Sequence, residues 1–131
     1  MRNLILVLGD QLTLTSPALA GFDAAHDAVL MIEAPGEATA VWSHKARIAL
    51  FLSAMRHFAQ EIGAQGWPLD YVNLEAAGPP GFGDRLRDAL RRHRPRALKL
   101  LEAGELRMQQ LVESVCSDEG VALHWVDDTP F

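Results

Sequence analysis

With one cysteine, Cys116, among its 131 residues, the chain has no partner for an internal disulfide, and no Cys/His cluster in it has metal-ligand spacing. A reducing, cytoplasmic setting suits such a chain. Long apolar runs are missing too. Ile48 to Met55, interrupted by Ser53, is among the longest, far short of the roughly 18 residues that a membrane span requires. The apolar run Leu4 to Leu8 is too short for a secretory segment, and it leads straight into Gly-Asp-Gln without a small-residue cleavage site. An excess of positive charge is also absent. The formal net charge of −5 argues against a general attraction of the domain to nucleic acid or anionic membrane, which rests on neutralising phosphates with Lys and Arg.

The length fits one domain, 1–131, with a core of ordinary size. Apolar runs alternate with helical patterns, the signature of βαβ units and a parallel sheet. Strands are predicted at Asn3 to Leu8, Ala28 to Glu33, Leu69 to Leu74, Ala97 to Glu102 and Val121 to Val126. The first, second and fourth are almost continuously apolar, as strands covered on both faces should be. The third and fifth carry polar interruptions and belong at the edges. Right-handed crossovers then give a five-stranded parallel sheet of order 3-2-1-4-5 in a Rossmann-like three-layer α/β/α domain. Helices are predicted at about Ser43 to Ala64, Phe82 to His93 (stopped by Pro95) and Glu105 to Asp118 (stopped by Gly120). In the longest one, Ile48, Leu52, Met55, Ala59 and Ile62 form the inward stripe, flanked by Phe51 and Phe58.

In such a sheet a ligand sits beyond the carboxyl ends of the strands, where the strand order reverses, here between strands one and four. That places Gly9, Asp10, Gln11 and Leu12 at the site, with Glu33 and Glu37 beside them and Glu102 and Glu105 opposite. Helices run back antiparallel to the strands, so His44 and Ile48, with Phe51 farther down, reach the same end. The glycine pattern of a dinucleotide site, the P-loop and the Gly-x-Ser-x-Gly elbow are all missing. Asp10 after a single Gly9 would repel a pyrophosphate. The acidic rim suits hydroxyl or ring N–H donors instead, although any one of these carboxylates could equally be a helix cap. Seven of the twelve basic residues lie between Arg85 and Lys99. A solvated helix flank is the simpler reading of that run, and contact with a partner domain or a DNA backbone the alternative.

Three stretches, "LILVLGDQL" (Leu4 to Leu12), "MIEAPGEATAVWSHKARIALFLSAMRHFA" (Met31 to Ala59) and "LEAGELRM" (Leu101 to Met108), together resemble the N-terminal domain of the deoxyribodipyrimidine photolyase-related proteins, the iron–sulfur branch of the photolyase and cryptochrome superfamily. The resemblance implies a two-domain flavoprotein of DNA repair or blue-light sensing. Its α/β domain would carry an antenna chromophore, 6,7-dimethyl-8-ribityllumazine, held by Gly9, Asp10, Gln11, Leu12, Glu33, Glu37, His44, Ile48 and Phe51. FAD, the iron–sulfur cluster and the DNA would belong to a C-terminal helical domain missing here, and one cysteine cannot hold a four-cysteine cluster. This chain alone would then not be catalytic. Ala40, Ser43, Leu106 and the bulky Phe51 depart from the family pattern. The alternatives are a docking module that binds no chromophore and a small stand-alone nucleotide-binding protein.

Overall fold

The computed structural model describes residues 2–8, 12, 14, 16–33, 45–73, 81–102 and 106–126, with the side chains of 45–51 outside the description. Its strands are β1 (Asn3–Leu6), β2 (Asp27–Ile32), β3 (Leu69–Val72), β4 (Ala97–Leu101) and β5 (Ala122–Val126). The helices among the described residues are α1 (Lys45–Ala64), α2 (Phe82–His93) and α3 (Leu106–Glu119), with a short 3-10 turn at Pro17–Leu19. All strand pairs are parallel, and the order is β3-β2-β1-β4-β5, as the sequence predicts. The ends of the elements differ from the predicted ones by a residue or two.

The period of two along each strand sorts its side chains between two cores. Leu4, Leu6, Leu30, Ile32, Leu98 and Leu100 face α2 and α3, where they meet Leu86, Leu90, Val112 and Val115. Ile5, Val7, Val29, Met31 and Leu101 face the other way, toward Met55, Phe58 and Ile62 of α1 and toward Ala18 and Leu19 of the 3-10 turn. A strand buried on both faces has no polar positions to give, so β1 and β2 read as unbroken apolar runs. Phe58 belongs to the core, whereas Leu52, predicted on the inward stripe, is only half-buried. Cys116 is buried on the inner face of α3, and burial pushes its thiol up to about 11.

Among the described residues of the connection between β1 and β2, which contains Pro17 and Gly21, the 3-10 turn is the only helical piece, so the described part of the α1-side layer carries one long helix. Lys99 of β4 reaches into that layer and donates to the Ala20 carbonyl at 3.3 Å. At the amino end of the sheet, Arg2 grips the buried Asp27 through Nε (3.1 Å) and Nη2 (2.7 Å). Burial alone would raise the Asp27 carboxyl. The Arg2 guanidinium and the Asp23 and Asn3 N–H groups outweigh that and hold it below the usual range. Helix α2 closes on Arg94, a non-glycine residue in the left-handed region at φ 47°, whose N–H bonds the Leu90 carbonyl at 2.8 Å just before Pro95.

Candidate functional site

Strand β1 pairs with β2 on one side and β4 on the other, and the crossovers leave it in opposite directions. The topological switch therefore lies at its carboxyl end. The chain reaches that point through Val7 and Leu8, both buried, with the Val7 N–H bonded to the Leu30 carbonyl at 3.0 Å. Leu12 returns to pack on the α1-side core. Across the switch, the Glu102 N–H bonds the Val126 carbonyl at 2.8 Å and its side chain is exposed. Leu106 opens α3 at the same end with 65% of its surface exposed. Of the other predicted residues, Gly9, Asp10, Gln11, Glu37, His44 and Glu105 lie outside the described residues, as do the side chains of Ile48 and Phe51.

Glu33, immediately after β2, is the predicted site residue that the structure describes most fully. It is 1% exposed, and a carboxylate taken from water to that extent needs charge and hydrogen-bond partners. Arg56, from the middle of α1, supplies both through a bidentate pair, Nε to Oε2 at 2.9 Å and Nη2 to Oε1 at 3.0 Å. Tyr71 of β3, the only tyrosine in the chain, donates its hydroxyl to Oε2. On the opposite face, the buried Arg85 of α2 donates Nη1 to the Glu33 carbonyl (2.8 Å) and to the Asn73 carbonyl (2.6 Å). It thereby caps the ends of β2 and β3. The Glu33 N–H bonds the Val72 carbonyl at 2.7 Å. Two strands and a helix from each layer thus meet at one residue.

The electrostatics follow from that geometry. The hydrogen bond and charge of Glu33 raise the Arg56 guanidinium above its ordinary value. Burial and the Glu33 carboxylate together push the Tyr71 phenol up, so it remains a donor. Position matters as much as charge. Arg56 sits five residues beyond Phe51 and eight beyond Ile48, about 7.5 and 12 Å along the helix axis. The clamp therefore fixes the rotation and height at which the first turns of α1 meet the carboxyl end of the sheet. Outside it, Arg56 also lines a groove of about 500 Å³ with Leu52, Ser53, His57 and Gln60.

Sequence reasoning found Glu33 but missed Arg56, Tyr71 and Arg85. A usable signal was present: a glutamate closing an unbroken apolar strand must be paired when the strand is central. The partners lie 23 and 38 positions away, so only the fold identifies them.

Arg87, Arg91 and Arg92 of the basic run between Arg85 and Lys99 form ion pairs within the chain, while Arg94 and Arg96 are exposed. Arg87 bridges Asp118 at 3.0 Å, and Arg91 bridges Glu119 at 2.8 Å, joining α2 to α3. Arg92 and His93 both reach Asp70 of β3 at 2.7 Å. These are structural ties within the domain rather than a row of free cations. Among the described residues no group of His, Cys, Asp and Glu is placed to hold a metal ion. Nor is any described helix long and apolar enough to cross a membrane.

Residues 5–131 match the profile of the family described as deoxyribodipyrimidine photo-lyase-related protein. A (6-4) photolyase from Agrobacterium fabrum is 33% identical over 132 residues, an alignment covering 100% of this chain and 26% of the photolyase. The chain thus spans about a quarter of that relative's length.

Proposed function

The chain belongs to the deoxyribodipyrimidine photolyase-related family, and from that premise we propose that it is the α/β half of a light-using flavoprotein of DNA repair or blue-light sensing, binding a ribityl-lumazine antenna at the carboxyl end of its sheet. The observation that carries this reading is the family match over 5–131 combined with a photolyase relative about four times as long, of which the alignment covers 26%. The parent protein would then contain a further, FAD-bearing helical half, docked against this domain, and any contact with DNA would be made through the parent.

The residues fit such a ligand in kind. A ribityl chain offers hydroxyls and a lumazine ring offers polar edges, which suit the carboxylates and amide of Asp10, Gln11 and Glu37. Leu12 contributes an apolar wall from the α1-side core. When bound, the chromophore would absorb light and pass excitation to the flavin. The protein's own part is to seat it. Glu33 holds Arg56, Arg56 sets the height of α1, and the first turns of α1, which carry Ile48 and Phe51 and directly follow His44 in sequence, would face the ligand. Glu33 acts here through its clamp, as a positioning residue.

The test is a titration of the purified chain with 6,7-dimethyl-8-ribityllumazine, followed by absorption and fluorescence. Saturable change at micromolar protein is expected, weakened at least tenfold by Asp10→Ala or Glu37→Ala. A flat titration sinks the antenna reading for this chain. One observation favours a second reading, a docking module without chromophore: the Glu33 carboxylate is turned onto Arg56 and Tyr71, a use that needs no ligand.

A further inference from the structure

The three helices close in two different ways. Helix α1 is followed by Gly66 (φ 75°) and α3 by Gly120 (φ 68°), glycines that enter the left-handed region without steric strain. Helix α2 closes on Arg94, which occupies the same region at φ 47° with a full side chain and is strained by its Cβ. The last turn, Arg91-Arg92-His93, already complements the helix dipole, so the cap itself does not call for a further cation. Arg94 lines a groove of about 560 Å³ at the amino end of the sheet. Leu90, Pro95 and Val121 give the groove apolar surface, and Arg91 and Glu119 stand in it as a bidentate pair at 2.8 and 3.2 Å. Glu119 also has Arg87 at 3.6 Å, so its charge is met. The register places Arg96 in the row before Ala97↔Ala122, beside Val121. Arg94 and Arg96 are both exposed, and among the described residues neither has a carboxylate partner. A chain of net charge −5 thus keeps a local positive excess on one groove, at a position where its other helices use glycine.

We propose that this groove is a binding site for a phosphate monoester of nucleotide type, with Arg94 and Arg96 receiving the phosphoryl oxygens and Leu90, Pro95 and Val121 receiving the organic part. The guanidinium fork matches phosphate oxygens in pairs. A monoester carries close to two charges at pH 7, so it answers both arginines, whereas a carboxylate answers one. The volume is in the range of small-molecule sites, and apolar walls with a few placed polar groups are their usual lining. The phosphate monoester occurs free in a mononucleotide and at the end of a nucleic acid strand, and the chemistry of recognition is the same for both. The groove lies at the opposite end of the sheet from the switch point, so this inference is independent of chromophore binding.

Amide chemical shifts of the chain titrated with adenosine 5′-monophosphate test it. Saturable shifts are expected at Arg91, Arg94, Gly120 and Val121, with adenosine, which lacks the phosphate, binding about tenfold more weakly or worse. Arg94→Gly should weaken binding about tenfold while the urea midpoint holds or rises, because glycine relieves the left-handed strain. Arg96→Gln should weaken it by about threefold. A short oligonucleotide with a 5′ phosphate distinguishes the sources: tighter binding than the mononucleotide supports a strand end as the ligand, and weaker binding supports the free nucleotide. The proposal is overturned by an absence of shifts at the groove up to about 10 mM nucleotide, by adenosine binding as well as its phosphate, or by binding that Arg94→Gly leaves intact. An oligonucleotide that shifts the groove equally with and without its 5′ phosphate overturns it as well.

Discussion

The β3 and β5 edges bracket the same sheet, yet one is locked by charge and the other is bare. At β3, Tyr71 and Asp70 tie the strand to both helical layers, through Glu33 and Arg56 on one side and through Arg92 and His93 on the other. At β5 the side chains are small, apolar or imidazole, and the described contacts run inward to β4 and to the two cores, Leu123 and Trp125 on the α2 and α3 side and Val126 on the α1 side. The difference teaches where this domain invests its polar chemistry. On the β3 side it holds both ends of the sheet, through Glu33 with Arg56, Tyr71 and Arg85 at the carboxyl end and through Asp70 with Arg92 and His93 nearer the amino end. At β5 the described side chains add no ion pair.

The comparison can be broken most severely at the clamp. Arg56→Met strands the Glu33 carboxylate in a site 1% exposed, and a buried charge without its partner is among the largest single-residue penalties. The urea midpoint should fall by roughly a third to a half. The double variant Glu33→Leu with Arg56→Met should regain most of it, because the charge and its need for a partner leave together. If both variants unfold alike, the pair is not a unit.

A smaller effect is expected at Asp70. Burial would raise its carboxyl, but the hydrogen bonds of His93 and Arg92 prevail and hold it below the usual range. A carboxyl lowered by folding contributes stability above its unfolded value near 3.9, and the contribution drains away as pH falls through the lower folded value. Asp70→Asn should therefore cost about 1 kcal/mol at pH 7 and flatten the acid-side decline, read from urea midpoints at pH 7 and pH 3. An unchanged decline would remove Asp70 from the account. The smallest effect belongs to the bare edge. His124→Lys should alter monomer stability by no more than about 0.5 kcal/mol, so any larger loss would mean that β5 is less open than its exposure indicates.

How much of this was legible in sequence follows from the range of each interaction. Strands β1, β2 and β4 are short apolar runs whose burial on two faces is written into every residue, and the polar interruptions at Asp70 and His124 mark the edges. The strand order follows, and with it the carboxyl end as the place for a ligand. Glu33 was legible as a residue at that end, but not as a clamp, since Arg56 and Tyr71 become its neighbours only when α1 folds back over β2 and β3. The basic run reads in sequence as a solvated flank or a partner contact, without its internal ties, for the same reason. Its helical spacing is local, whereas the turn of Arg85 inward to the Glu33 and Asn73 carbonyls, and of Arg87 and Arg91 to Asp118 and Glu119, depends on two helices and a strand end meeting. Periodicity places Leu52 inward, since it gives the direction of a stripe but not where the sheet beneath it ends.

The central claim, that the ligand seat is the carboxyl end held in place by the Glu33 clamp, is tested most directly by mapping lumazine onto the chain with amide chemical shifts. Saturable shifts are predicted at Val7, Leu8, Leu12, Glu33, Glu102 and the first two turns of α1, with Arg91, Arg94 and Val121, which line a groove at the amino end of the sheet, unmoved. Shifts confined to that amino-end groove, or none at any lumazine concentration, would contradict the account.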